Sequence, residues 1–194
     1  MDINIKGLSD ILKLIADLFE GVKKLGKVTV SHRQKLIKSL GDTAELIDQT
    51  LTILKGHLAR IVSELQSGNL PEAKELILEL NNHQDWESRY RQFQMCEPLM
   101  QAGRELETLL NRELVNKVAI KDSQKLEQLI YDYIRNEGAA GKLIGETLTD
   151  LSKLASQVDT DPQAVSSEIE KAKSDIQKWR DKFIKLEKQL RKAI

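Results

Sequence analysis

The stretch SHRQKLIKSLGDTAELIDQTLTILKGHLARIVSEL, Ser31 to Leu65, places apolar residues at Leu36, Leu40, Ala44, Ile47, Leu51, Leu54, Leu58, Ile61 and Leu65. After the first step of four, the spacing alternates between four and three, the heptad rhythm of a helix that seals one stripe against a partner. Ser31 and Gln34 stand at the S-x-x-Q spacing of a capping box, which predicts the helix start there. Gly68, in the following SGN, is suited to the left-handed residue that closes a helix. Such a helix is roughly 50 Å long and cannot bury its stripe alone. The chain must therefore supply other rods of similar length.

The clearest of these is the last. Asp161 precedes Pro162 as an N-cap precedes a first-turn proline, and Val165, Ile169, Ala172, Ile176, Trp179, Phe183, Leu186 and Leu190 then repeat in strict 4-3 alternation. Between the two lie a region opened by Pro71, read as a short helix to about Leu80 and a long one from about Asp85 to Val115, and a helical segment from Asp122 to about Val158. In the latter, Leu126, Ile130, Tyr133, Ala140, Ile144, Leu148, Leu151, Ala155 and Val158 are expected to face inward. Pro98 must kink or end whatever helix contains it. Ahead of all these, Leu8, Ile11, Leu12, Ile15, Leu18, Phe19, Val22 and Leu25 form one stripe of an amphipathic opening helix, with Ser9 and Asp10 offering cap and first-turn chemistry.

Matched rods with short connections predict an all-α fold: an elongated antiparallel up-down four-helix bundle over residues 31–194, with an amphipathic N-terminal helix in 1–30 as a fifth element of one domain. No strand pattern and no repeat of solenoid length is present. Composition agrees, because 40% hydrophobic and 31% charged residues with three prolines suit a helical chain with a substantial core. Glycines at 41, 56, 103, 138, 141 and 145 fall inside expected helices, where they would suit either a bundle that bends or close helix packing.

Charge and motif content narrow the chemistry. Thirty basic residues balance thirty acidic ones, so no global field draws nucleic acid or an anionic surface, and no nucleic-acid partner is expected. From Pro162 onward there are nine Lys or Arg against five acids, and Pro71 to Asn116 reverses the ratio, an arrangement read as complementary or solvated faces. The lone Cys96 cannot close an intrachain disulfide, the start lacks the pattern of a secretory signal, and no run approaches a spanning length; a cytoplasmic location is expected. A bundle di-iron site needs Glu-x-x-His pairs, and the residues three before His32, His57 and His83 are Thr29, Leu54 and Leu80. Glu79, His83 and Glu87 share a helix face without a second cluster, so they are read as a polar stripe and no metal is expected. Gly21 to Val28 has the spacing of a phosphate loop, but Val28 stands where a hydroxyl must bind magnesium. No cofactor and no catalytic residue is expected.

The opening segment GLSDILKLIADLF, Gly7 to Phe19, resembles the membrane-active peptides of the aurein type through Gly7, Leu8, Asp10, Ile11, Lys13, Ile15, Ala16 and Phe19, with Ser9 in place of an aromatic and Leu14 in place of a lysine. As architecture alone, an amphipathic helix ahead of a long bundle is similar to cell-death bundles of the HeLo and mixed-lineage-kinase-like kind. That likeness implies an N-terminal region able to reach a membrane after release. Residues 1–30, however, carry five Lys and four acids, a weakly basic balance for a lipid-surface helix.

The expected function is a non-enzymatic interaction module that binds a partner protein or a second copy. The alternative is a membrane-acting effector, peripheral to the bilayer, in which Leu8, Ile11, Leu12, Ile15, Leu18, Phe19 and Val22 leave the bundle and enter lipid. Those seven residues are the candidate partner or membrane face.

Overall fold

The structure, a computed structural model, describes residues 6–24, 30–81 and 148–194. They form α1 (Lys6–Lys24), α2 (Val30–Ser67), α3 (Leu70–Glu79), a 3-10 turn at Lys153–Gln157 that ends the helical residues 148–152, and α4 (Pro162–Arg191). Among the described residues there is no strand, so the chain is all-α. The expected helix from Asp85 to Val115 and most of the one from Asp122 lie outside the described residues, as do Cys96, Pro98, His83 and Glu87.

Among the described elements, α2 and α4 make the largest interface, and their seams follow the heptads. On α4, Val165, Ile169, Ala172, Ile176, Phe183, Leu186 and Leu190 are buried, while Trp179 in the same register is only partly so. Lys182 places its ammonium 3.9 Å from the Trp179 ring centroid, giving that indole a cation as its outer neighbour. On α2 the described buried seam runs from Ile37 through Leu40, Ala44, Ile47, Leu51, Leu54, Leu58, Ile61 and Leu65 in alternating steps of three and four; the side chain of Leu36 lies outside the described residues.

Cross-helix pairs give the direction of packing. Gln34 meets Ile194, Asp42 and Glu45 meet Arg191, Asp48 meets Arg180, and Lys55 meets Gln177. Partners fall in number along α4 as they rise along α2, so the two helices run in opposite directions. α3 returns along α2 in the same manner through Glu72 with Arg60 and Leu76 with His57, and the 148–159 segment runs against α3 through Asn81 with Thr149 and Lys74 with Asp159. At that end of the molecule the four segments alternate in direction.

Helix ends show how local sequence sets these reversals. Gly68 has φ of +79°, and the amides of Gly68 and Asn69 donate to the carbonyls of Leu65 and Glu64 at 3.3 and 3.0 Å. That is a Schellman closure, which satisfies two carbonyls left open at the end of α2. Asp161 accepts from the Ala164 amide at 2.9 Å with Pro162 at the first position of α4, as the sequence predicts. α3 starts at Leu70, which moves Pro71 to the second position.

Several boundaries shift. α1 begins at Lys6, so Ser9 lies within the helix and is not its cap; α2 begins at Val30, which puts Ser31 in the first turn. A stripe pattern locates a face better than an end, because hydroxyl and carboxylate caps recur inside helices as solvent-facing residues. The segment expected to stay α-helical to Val158 tightens to 3-10 from Lys153, although Leu148, Leu151, Ala155 and Val158 are buried as expected, joined by Leu154.

Neither Gly41 nor Gly56, both inside α2, demands a close approach. A methyl at Gly41 would sit 3.8 Å from Leu190 and Arg191, ordinary contact, and at Gly56 it would meet nothing within 4 Å. Gly56→Ala should therefore raise stability by about 1 kcal/mol through helix propensity, whereas Gly68→Ala should lower it by about 1 kcal/mol because of the left-handed backbone. Urea titrations followed at 222 nm would show both signs, and a destabilised Gly56→Ala would contradict the open surface at that site.

Candidate interaction surface

α1 packs on both α2 and α4. Of the seven residues assigned to the candidate face, Leu8, Ile15, Leu18, Phe19 and Val22 are buried in the common core, with Ile15, Leu18 and Val22 at 0% exposure. Leu12 is partly buried and packs against the same core. The Ile11 side chain lies outside the described residues. Five of the seven residues thus belong to one core within the chain. Their spacing, with steps of three, one and three from Ile15 through Leu18 and Phe19 to Val22, is what a helix needs to lie in the groove between two others.

The other side of α1 is charged. Lys13 and Lys23 are exposed, Lys23 pairs with Glu20 at 2.8 Å, and its ammonium also lies 3.9 Å from the Phe19 ring centroid. That stacking covers the outer edge of Phe19, the least buried of the five core residues of the face. Gly21, the first glycine of the phosphate-loop spacing, is inside α1, so that loop does not form there.

The walls of the groove are joined by polar contacts that spacing alone does not reveal. Arg180 Nε donates to Asp48 Oδ1 at 2.9 Å, with both side chains 19% exposed, making this the least exposed ion pair among the described residues. Gln177 accepts from Lys55 Nζ at 2.6 Å and donates to Asp181 at 2.7 Å. Nearer the chain end, Arg191 donates to Glu187 at 3.0 Å, to Asp42 at 3.1 Å and to Glu45 at 2.6 Å. Its hydrogen bond to Glu187 is the main cause of a pKa raised further above the ordinary guanidinium range, against a smaller opposing effect of burial. A cation stabilised in this way contributes at every pH below its unfolded value and loses that contribution only in strong alkali, so Arg191 stays charged across the working range. Asp42, Asp48 and Lys55 stand beside the apolar seam of α2, where the heptad labels them only as flanking positions.

Two threonines, Thr43 and Thr50, are buried one heptad apart on α2, a second feature missed by an apolar count. Next in that row, His57 Nε2 lies 2.9 Å from the carbonyl of Leu76. The carbonyl can only accept, so Nε2 carries the proton, and the imidazole acts as a tie between α2 and α3. Glu79 is exposed, and no group of three or more His, Cys, Asp or Glu among the described residues could hold a metal. No described helix is long and apolar enough to cross a membrane.

No family model, curated protein or solved structure matches this chain. The surface must be read from its own chemistry.

Two pairs of substitutions measure what holds it. Leu18→Ala removes a fully buried side chain and should cost about 2 to 5 kcal/mol, while Lys13→Ala on the opposite face should fall within about 0.5 kcal/mol of wild type. Arg180→Met leaves the half-buried Asp48 without its cation and should cost about 1 to 3 kcal/mol, with Asp48→Asn in the same background recovering part of the loss. Denaturant midpoints check all four; equal effects of Leu18→Ala and Lys13→Ala would show that α1 is not docked in solution.

Proposed function

We propose that this chain is a non-enzymatic helical interaction module: an elongated antiparallel up-down four-helix bundle, with α1 as an added element, that works by binding other proteins, including copies of itself. The observation that carries this reading is the division of labour in α2 and α4. Their buried heptad residues form an internal seam, and cross-helix pairs at Asp48–Arg180 and around Arg191 hold them in register. What remains outward is a stiff, charged rod of about 57 Å, the length of a 38-residue helix, suited to presenting a surface rather than to enclosing a substrate. The alternation in direction of α2, α3, the 148–157 segment and α4 supports the up-down arrangement.

A second reading rests on α1. Its apolar stripe belongs to the core of the docked state, yet on release it would be an amphipathic helix able to enter a lipid surface, which would make the protein a membrane-acting effector. Lys6, Lys13, Lys23 and Lys24 against Asp10, Asp17 and Glu20 leave α1 with little net charge to draw it to anionic lipid.

Sedimentation velocity across a wide concentration range, together with flotation on phosphatidylcholine vesicles with and without phosphatidylserine, separates the two. The module reading expects reversible self-association and no protein floating with vesicles. A species that stays monomeric and floats with either vesicle would hand the function to the membrane reading.

A further inference from the structure

The arginines and lysines of α4 face different ways. Arg180 and Arg191 turn toward α2, where Asp48, Asp42 and Glu45 engage them. Lys171, Lys178, Lys182, Lys185 and, at the helix cap, Lys192 are all exposed, and at about 100° per residue they fall close to one line along the outer side of the helix. Between them that line carries only Ser174 and Gln189, so it holds five lysines, no acid and no apolar side chain over roughly 30 Å. The acids of the same helix stand on its flanks, roughly 60° to 80° round: Glu168 and Asp175 on one side, Glu170 and Asp181 on the other. Three of them are held by neighbours, Asp175 by Lys178 at 2.8 Å, Glu170 by Lys173 at 2.7 Å and Asp181 by Gln177 at 2.7 Å. Lys178 thus lends part of its charge to a flank, Lys182 rests over Trp179, and Lys185 and Lys192 make no ion pair among the described residues. In a chain of thirty basic and thirty acidic residues, this sorting of sign along one helix leaves a narrow cationic ridge.

We infer that this ridge is a docking surface for an acidic helix of a partner protein, one that carries Glu or Asp along a single face. This deepens the module reading above and rests on it. The lysines step by seven, four, three and seven, the rhythm of a helix face, so a second helix laid alongside with carboxylates at steps of three and four meets them in register, as charged flanking positions do in paired helices. The flanking acids select for a narrow partner. A rod touches the crest alone, whereas a broad anionic plane such as a bilayer brings its charge down over Glu168, Asp175, Glu170 and Asp181 as well and is repelled there. Without an apolar side chain the ridge also has nothing to insert between lipids. Each exposed pair contributes little by itself and is screened by salt, so the contact is reversible, and the ridge selects the partner and its orientation more than it sets a tight affinity.

The test measures fluorescence anisotropy of an alanine-rich helical peptide with Glu at steps of three and four on one face, added to the full chain at low salt. A peptide of the same composition with its Glu spread round the helix is the control. Two variants lose the same charge: Lys178→Gln, Lys185→Gln, Lys192→Gln on the ridge, and Lys13→Gln, Lys35→Gln, Lys38→Gln on exposed positions elsewhere. The wild-type chain should bind the patterned peptide, the ridge variant should bind it about 10-fold more weakly, the other variant should match wild type, and raising salt from about 50 to 300 mM should weaken binding by about 10-fold. Glutamine keeps a good helix former at each exposed position, and circular dichroism checks that both variants stay folded. Equal binding of the two peptides, equal loss in the two variants, or no binding of the patterned peptide would overturn the inference. So would ridge-dependent binding of phosphatidylserine vesicles or of a duplex DNA without binding of the patterned peptide. Self-association by sedimentation with no ridge-dependent peptide binding would leave the module reading standing and remove only the ridge.

Discussion

The seam between α2 and α4 is built of buried apolar side chains, Ile37 to Leu65 on one helix and Val165 to Leu190 on the other, with Phe183 among them. Everything else described in the molecule is placed by it. Burial of that many Leu, Ile and Val side chains is the dominant favourable contribution, but burial has no direction of its own, and a heptad stripe tolerates parallel, antiparallel and shifted arrangements. Polar contacts at its margins remove that ambiguity. Arg180 can reach Asp48 in one register only, and Arg191 gathers Asp42, Glu45 and Glu187 in the same one. A slipped seam would leave half-buried Asp48 and Arg180 unpaired, which costs more than the pair contributes when made.

The same division explains what surrounds the seam. Where α2 closes, a Schellman turn at Gly68 and the Asp161 cap return the chain within a few residues, and α3 and the 148–157 segment complete the apolar surround with Ala73, Leu76, Ile77, Leu151 and Leu154. Tight turns there enforce local packing. α1 joins the same core through a stripe that alone would be a surface-seeking helix. In this structure the core of its own chain covers that face.

Much of this was legible before any coordinates. The 4-3 stripes on α2 and α4, the inward residues of α1 and of 148–158, Gly68 as a left-handed closure and Asp161 as a cap all follow from spacing and from the conformational preferences of single residue types. Helix starts were legible only to within a few residues, since Ser9 and Ser31 have cap chemistry yet sit inside helices. Ile37 is buried at the start of that seam, a position the 4-3 count had passed over, while the side chain of Leu36 lies outside the described residues.

Sequence by itself determined that the chain is helical, which stripe of each rod is apolar, and where two of the reversals fall, because those properties depend on residues within a turn or two of one another. Tertiary structure decided which rods face each other, the register and opposite directions of α2 and α4, the tightening to 3-10 at Lys153, and the docked position of α1. Those depend on pairs such as Asp48 with Arg180, 132 positions apart, whose meeting no local pattern encodes. An amphipathic stripe states that a surface will be covered, and only the folded chain supplies what covers it.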